Sequence, residues 1–185
     1  MQMNCRRKFP LGYEDVTKDG ISSKIEKAIR QAFKNRRWPV LLHGAAGTGK
    51  SCAMAWNYVQ WSGRASWFTA NEYCQRIQRC RRDGSIFESG YQIFERSIMD
   101  IARDPKRLFC IDDLGIRGAT DSVYEIILSF IDCRKGKPTI FTSNMNLDGI
   151  REIFDERTAS RLSAGTVIEV TGSDQRRTQG IRIRA

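Results

Sequence analysis

The chain has 185 residues, and its 31 lysines and arginines outnumber its 21 acidic residues, for a formal net charge of +10. This length is sufficient for one domain with a substantial core, and no apolar run approaches the ~18 residues of a membrane span. The basic N-terminus lacks the apolar stretch of a secretory signal, so we expect a cytoplasmic protein without a membrane segment. The positive charge favours a polyanionic partner, with a merely soluble basic surface as the alternative.

The chain has six cysteines and a single histidine, which limits the metal sites and disulfide bonds that it could form. No two cysteines have C-x-x-C spacing, so a zinc site is not expected. Cys52 and Cys110 fall within apolar segments, where a thiol acts as a small hydrophobe. Reduced thiols in a cytosolic protein fit this pattern best.

The first part of the chain leads from an irregular segment to a helix and a strand. Residues 1–20 have three candidate anchors onto the domain, Phe9, Leu11 and Tyr13. Ser22 or Ser23 can cap a helix whose apolar residues recur at helical spacing. The apolar run 38–43 then predicts the first strand.

Residues 44–51 read Gly-Ala-Ala-Gly-Thr-Gly-Lys-Ser, a complete G-x-x-x-x-G-K-[ST] phosphate-binding loop. Its glycines let backbone N–H groups point at phosphate oxygens, Lys50 brings charge to the β- and γ-phosphates, and the Ser51 hydroxyl can bind Mg²⁺. A chance match is the alternative, which the preceding strand and the predicted helix 51–61 disfavour. We assign nucleotide binding to Gly44, Ala45, Ala46, Gly47, Thr48, Gly49, Lys50, Ser51 and Cys52.

Strands and helices are predicted to alternate along the rest of the chain. After strand 65–69, Asn71 is the predicted N-cap of a helix through Arg82, and Asp121 caps another that runs to about Arg134. Further predicted elements are helix 91–102, strands 108–111, 138–142 and 167–170, and one or two short helices in 147–162. Such alternation predicts an α/β fold, a parallel sheet with helices on both faces and ligands at the carboxyl ends of its strands.

Polar residues follow two of these predicted strands. Asp112 and Asp113 come directly after strand 108–111, in the Walker B pattern. Asp112 is expected to hold the Mg²⁺ shell, and Asp113 to orient or deprotonate the attacking water. Asn144 can hydrogen-bond the γ-phosphate or that water. The alternative is that the two acids cap a turn and that Asn144 forms one.

Several strings in this order resemble the DnaC-type helicase loaders and the related IstB-type transposition ATPases of the AAA+ superfamily. They are Ile-Asp-Asp-Leu-Gly (111–115), Thr-Ile-Phe-Thr-Ser-Asn (139–144), Thr-Ala-Ser-Arg-Leu (158–162), Trp-Phe-Thr-Ala (67–70) and Glu-Val-Thr-Gly-Ser-Asp-Gln-Arg (169–176). The resemblance implies a P-loop AAA+ core with a five-stranded parallel sheet in the order 5-1-4-3-2. It also implies ATP and Mg²⁺ as cofactors, ATP hydrolysis, and assembly on nucleic acid.

The same resemblance implies roles for arginines in the second half of the chain. Arg161 would be an arginine finger on a neighbouring subunit's nucleotide, with Arg157 as a weaker candidate, and Arg176 would lie near the nucleotide. A guanidinium suits the first role because it is permanently charged and offers a rigid fork of donors. A plain surface position for Arg161 is the alternative. We expect no large helicase-docking region and no helical lid after the last strand, which would be departures from the family, and a missing lid fits the loader branch.

One predicted helix carries a basic cluster that we assign to nucleic-acid binding. The cluster is Arg76, Arg79, Arg81 and Arg82, with Lys106 and Arg107 later and the aromatic residues Tyr73, Phe87 and Tyr91 near by. Arginines contact phosphates and aromatic rings stack on bases, which favours single-stranded DNA. The alternatives are a solvated basic face with Phe87 and Tyr91 in the core, or DNA contacts from the arginine-rich tail.

We interpret residues 21–177 as an AAA+ ATPase domain followed by a basic tail, 178–185. The expected protein is a helicase-loader-type ATPase that self-assembles when ATP-bound and engages DNA together with a replicative helicase or a transposase. The alternatives are an IstB-type transposition helper and a nucleotide-gated adaptor with little hydrolysis. A small-molecule kinase is disfavoured, because it has no role for the Thr-Ser-Asn and Ser-Arg-Leu strings.

Overall fold

Five strands alternate with helices along the chain. The computed structural model describes residues 9–82, 98, 100–115 and 120–172. The strands are β1 (Val40–His43), β2 (Ala65–Thr69), β3 (Leu108–Asp112), β4 (Thr139–Ser143) and β5 (Thr166–Glu169). The helices are α1 (Ser23–Lys34), α2 (Lys50–Gln60), α3 (Ala70–Arg82), α4 (Asp121–Cys133), α5 (Leu147–Ile153) and α6 (Glu156–Ser163), with a 3₁₀ turn at Lys18–Gly20. Residues 100–103 are also helical.

The strands form one parallel sheet in the order β2-β3-β4-β1-β5. This is the predicted order read from the opposite edge, so the five-stranded core is confirmed. Strand β1 pairs with the central strand β4 on one side and with β5 on the other, with Leu42 opposite Thr142 and Ile168. Among the described residues, none after β5 is helical.

Successive residues of each strand face opposite sides of the sheet, and each side has its own hydrophobic core. Leu41, Phe109 and Phe141 belong to the core under α3, α4, α5 and α6. Their neighbours Leu42, Cys110 and Ile140 belong to the core under α1 and α2. The helices therefore cover both faces, as the alternation of elements predicts.

The capping prediction for α3 is wrong. This helix begins at Ala70, one residue before Asn71. Thr69 Oγ1 accepts the Glu72 backbone N–H at 3.1 Å, while the Glu72 carboxylate accepts the Thr69 N–H at 3.0 Å. This reciprocal pair is a capping box, which satisfies two backbone donors at the helix start.

The predicted cap of α4 is also displaced by one residue. Asp121 is the first helical residue, and Thr120 holds the N-cap position.

Only part of the predicted anchoring of the N-terminal segment is found. The Tyr13 ring packs against Trp67, with ring centroids 5.4 Å apart. Leu11 is 94% exposed and does not anchor the segment, so that prediction is wrong. Phe9 is half-buried.

A buried arginine connects the amino ends of β3 and β4 through hydrogen bonds. Arg134 follows α4 and is only 2% exposed. Its guanidinium donates to the backbone carbonyls of Ala102, Asp104, Arg107 and Pro138 and to the side-chain hydroxyl of Thr139, at 2.7–3.1 Å. It also lies 5.0 Å from the centroid of the Phe109 ring. Burial lowers the pKa of Arg134 to about 10, which leaves the group charged at neutral pH.

Within the described ranges, none of the helices has the length and apolar character needed to cross a membrane.

Candidate nucleotide and metal site

The phosphate loop joins β1 to α2 at the carboxyl edge of the sheet. Gly44, Gly47 and Gly49 all have positive φ angles, of 145°, 77° and 90°. Glycine adopts these conformations without strain. At Gly44 a Cβ atom would also lie only 2.3 Å from the Val170 carbonyl oxygen, so the loop can pass β5 only because this residue has no side chain.

Lys50 is folded back onto the loop from the first turn of α2. Its Nζ donates to the carbonyls of Gly44 and Ala45 at 2.9 and 2.7 Å. The Thr48 hydroxyl donates to the same Ala45 carbonyl at 2.9 Å. Lys50 is only 6% exposed, so its ammonium is held against the carbonyls of the phosphate loop.

Asp112 ends β3 beside this loop and is 5% exposed. Its Oδ1 accepts the Ser51 hydroxyl at 2.8 Å, which joins the predicted metal residues directly. A hydroxyl and a carboxylate are oxygen ligands of the hard kind that Mg²⁺ prefers. The residues present therefore fit a Mg²⁺ ion held between the loop and β3.

Thr142 belongs to the site, although its sequence context did not single it out. Its hydroxyl donates to Asp112 Oδ1 at 2.5 Å and accepts the backbone N–H of Asp113 at 2.9 Å. Thr142 is 1% exposed. One hydroxyl on β4 thus orients the metal-side carboxylate and the backbone of the next acid at the same time.

Asp113 has a left-handed backbone, with φ of 56°. This conformation is uncommon for a residue with a side chain, and such outliers cluster at functional sites. Asp113 Oδ1 lies 3.4 Å from the Asn144 amide nitrogen, in a weak hydrogen bond. The structure therefore brings together Asp112, Asp113 and Asn144, the three polar residues predicted to follow strands.

These groups line one open cleft of about 830 Å³. That volume lies within the range usual for small-molecule sites. The segment before α1 also lines the cleft, through Leu11, Gly12, Tyr13, Asp15, Val16, Thr17 and Gly20. Tyr13, which belongs to this segment, contacts the site directly: its hydroxyl donates to Asp112 Oδ2 at 3.0 Å. Burial and the nearby Asp112 carboxylate raise the pKa of Tyr13 to about 12.

Arg161 does not line this cleft. It lies on α6, where its Nε donates to the carboxylate of Asp132 on α4, and its Nη1 donates to the Arg157 carbonyl at 3.2 Å. The hydrogen bond to Asp132 raises the pKa of Arg161 further. Asp155 caps α6 and accepts the Tyr124 hydroxyl, so this helix is fixed to α4 at both ends.

The basic cluster is described only in part. Arg76 and Arg79 are exposed on α3, and the Arg76 guanidinium lies 5.2 Å from the centroid of the Phe68 ring. The backbone of Arg81 and Arg82 is helical, while their side chains lie outside the described residues.

Tyr73 is 1% exposed and packs on Phe130 at 4.8 Å, so the interpretation that it stacks on bases is wrong. Arg107 is also turned into the protein, where it donates to the Ser66 hydroxyl at 3.1 Å. Phe87 and Tyr91 lie outside the described residues, as does Arg176.

The two cysteines predicted to be in the core differ. Cys110 is fully buried in β3, as expected. Cys52 is half-buried and lines the cleft, so its assignment to the core is wrong and its assignment to the nucleotide site stays a prediction.

No protein-family model matches the chain, and neither does any curated protein. Solved structures do match. DnaI is 20% identical, with 89% of this chain and 92% of DnaI covered and a TM-score of 0.61. The DnaC helicase loader is 15% identical, with 82% and 92% covered and a TM-score of 0.61.

A structure of the replication initiator DnaA bound to AMPPCP and single-stranded DNA also matches. It is 14% identical, and the match covers 80% of this chain with a TM-score of 0.63. This chain spans only 46% of that DnaA structure. At these identities the similarity shows the fold alone: this chain shares the fold of the DnaI, DnaC and DnaA structures, which is the fold that the resemblance implies.

Proposed function

We propose that this chain binds ATP with Mg²⁺ and hydrolyses it, as a helicase-loader-type AAA+ protein of DNA replication. The observation that carries the proposal is the convergence of Lys50, Asp112, Asp113 and Asn144 on one cleft. Each of these side chains has a role in phosphoryl transfer, and each lies at the carboxyl edge of the sheet, where α/β proteins bind ligands.

Each of these side chains has a separate role in ATP binding or hydrolysis. Lys50 exchanges the carbonyls of its loop for the β- and γ-phosphate oxygens, which are better partners for an ammonium. Ser51 and Asp112 are the residues that would hold Mg²⁺, which when bound neutralises charge on the phosphates. Asp113 orients the attacking water and accepts its proton, and the Asn144 amide donates to that water or to the γ-phosphate.

Asp113→Asn tests this assignment. The variant keeps the shape of the side chain, and asparagine tolerates a left-handed backbone. We expect unchanged ATP binding and a loss of turnover of about 100-fold or more, because the general base is gone. Phosphate release and binding of a fluorescent ATP analogue measure the two quantities.

The control is Lys50→Ala, which should lose binding itself. Turnover by Asp113→Asn equal to that of the wild type would remove Asp113 from the mechanism. Tight ATP binding with no turnover by the wild type would favour the nucleotide-gated adaptor.

Self-assembly is the second part of the proposal, with Arg161 serving the nucleotide of a neighbouring copy. It is supported by the position of Arg161 outside its own cleft, on a helix held by Asp132. A mixture of Arg161→Ala and Lys50→Ala proteins should recover activity, because the second supplies the guanidinium that the first lacks. Replacing the second by Lys50→Ala/Arg161→Ala is the matched control, and equal activity in the two mixtures would reject the trans role.

DNA binding is the third part, supported by the exposure of Arg76 and Arg79 on one helix. Single-stranded DNA is the favoured form. Changing Arg79, Arg81 and Arg82 to alanine should weaken binding of a labelled oligonucleotide and lower its salt slope by about 0.7 for each phosphate that is no longer neutralised. The control is Arg103→Ala, an exposed arginine outside this helix. An unchanged slope would place DNA elsewhere.

The partner protein is the last part, and a replicative helicase is the one we propose. Capture with the Asp113→Asn protein, held in its ATP-bound form, tests this. A helicase supports the loader function, while a transposase would support the IstB-type alternative.

A further inference from the structure

Three hydroxyl groups surround the buried carboxylate of Asp112. Ser51 and Thr142 donate to Oδ1, at 2.8 and 2.5 Å. Tyr13 donates to Oδ2, at 3.0 Å. The carboxylate that the proposed function assigns to Mg²⁺ therefore has a protein donor on each of its oxygens.

The three donors differ in how they are anchored. Ser51 lies in the first turn of α2, and Thr142 lies in the centre of the sheet. Tyr13 lies in an irregular segment before α1, in which the Tyr13 N–H bonds to the Pro10 carbonyl and the Val16 N–H to the Tyr13 carbonyl. These backbone bonds are local, so the segment can move without breaking a strand or a helix.

The position of Tyr13 conflicts with that of a metal. The Tyr13 hydroxyl contacts Asp112 Oδ2 and also the Ser51 side chain, which are the two residues assigned to the metal, and a metal-bound water that reached Oδ2 would meet this hydroxyl. Ser51 can donate to Oδ1 while its own oxygen binds a cation, because a hydroxyl is both donor and acceptor. Tyr13 is thus the one of the three donors that competes with a metal shell.

We propose that Tyr13 is a positioning residue that competes with Mg²⁺ for Asp112 and leaves it when metal and nucleotide bind. The inference rests on the proposed function, because it takes Asp112 as the metal-side carboxylate. Two properties follow. Tyr13 lowers the metal affinity of the wild type, and its departure moves the segment that walls the cleft, including Leu11 and Gly12.

Tyr13→Phe removes the competing hydroxyl and keeps the ring that packs on Trp67. Mn²⁺ titrated in the presence of ADP, with free Mn²⁺ followed by electron paramagnetic resonance, reports metal affinity without turnover. We expect binding to become about fivefold tighter, the size of a typical net hydrogen bond within a protein. ADP affinity without metal should not change.

Tyr58→Phe is the matched control, since Tyr58 packs on the same indole at 5.8 Å but lies on α2. It should leave Mn²⁺ affinity unchanged. Unchanged or weaker Mn²⁺ binding by Tyr13→Phe would overturn the inference while leaving ADP binding, and with it the proposed function, intact. Failure of the wild type to bind ADP at all would reject the nucleotide function and the inference together.

The ring contact supplies a second readout. The Tyr13 and Trp67 centroids are 5.4 Å apart, so departure of Tyr13 should change Trp67 emission when Mg²⁺ and ADP are added together. The Trp67→Phe protein, titrated in parallel, isolates this signal from the other three tryptophans. A Trp67 signal that stays constant while metal binds would show that Tyr13 remains in place, and would also overturn the inference.

Discussion

Asp112 and Arg134 are buried charges at opposite ends of the sheet, and they are stabilised by different kinds of hydrogen-bond partner. At the carboxyl end, Asp112 is surrounded by the side-chain hydroxyls of Tyr13, Ser51 and Thr142. At the amino end, Arg134 is bound mainly by backbone carbonyls. A side-chain hydroxyl can rotate away and be replaced by a metal shell, whereas a carbonyl is fixed by the chain. The hydroxyls around Asp112 therefore suit ligand exchange, whereas the carbonyls around Arg134 suit a permanent structural contact.

Loss of the Arg134 hydrogen bonds should have the largest effect on stability. Arg134→Met keeps the buried volume but leaves four carbonyls and the Thr139 hydroxyl without their donor. We expect the free energy of unfolding to fall by about 3–5 kcal/mol, as measured by urea denaturation. Mn²⁺ affinity of the folded protein should not change, because Arg134 lies at the opposite edge of the sheet.

Arg103→Ala is the control for this substitution, since Arg103 is exposed and should cost little. A loss for Arg134→Met as small as that of the control would show that the carbonyls find other donors.

At the carboxyl end of the sheet, loss of a hydroxyl beside Asp112 should reduce both stability and metal binding. Thr142→Val removes one buried hydroxyl at nearly constant volume, and should lower the free energy of unfolding by about 1–2 kcal/mol. Mn²⁺ binding should weaken roughly tenfold, because Thr142 orients Asp112 without touching the metal itself.

Thr142→Ser should restore Mn²⁺ affinity, since it returns the hydroxyl. If Thr142→Val lost stability but kept full metal affinity, the hydroxyl would have the same purely structural role as Arg134.

The smallest effect on stability is expected where the charge is exposed. Asp132→Asn breaks the ion pair with Arg161 at the surface, and the free energy of unfolding should stay within error of the wild type. Its effect should instead be on assembly: a released Arg161 can reach a second copy, so specific ATPase activity should rise at lower protein concentration. Activity measured over a protein dilution series checks this, and a rise that needs more protein than the wild type would contradict it.

Most of the cleft could be predicted because local sequence patterns encode it. The strands β1, β3 and β4 are buried on both faces and therefore read as short apolar runs, each ending at a polar residue. Since parallel strands end at one edge, the phosphate loop, Asp112 and Asn144 had to meet there.

Thr142 was missed although a signal for it exists. Cys110 lies opposite Ile140 across β3 and β4. Continuing this parallel register by two residues brings Asp112 beside Thr142 on the same face of the sheet. A prediction of register, beyond the prediction of strands, would have found the contact.

Two errors on α3 could have been avoided from the sequence. Thr69 and Glu72 have the spacing of a capping box, which places the helix start before Asn71. Tyr73 and Ile77 are four residues apart on the stripe that packs into the core, so Tyr73 was better read as a core residue than as a base-stacking one.

Other contacts have no signal in the sequence. Tyr13 meets Asp112 across 99 positions of the chain, from a segment without helical or strand periodicity. Asp132 meets Arg161 through the packing of α4 against α6, which depends on the whole fold. Arg134 looks like an ordinary basic residue after a helix, where cations are favoured in any case.

The capping box at Thr69 has a mechanical consequence. Thr69 lines the cleft, and the helix it begins carries the arginines of the basic cluster. At 1.5 Å per residue, this 13-residue helix is about 20 Å long. A tilt of about 10° at its capped end would move the far end by about 3.5 Å, from the geometry of such a rod. A change at the nucleotide cleft that tilted this helix would therefore be enlarged at its far end, near Arg82.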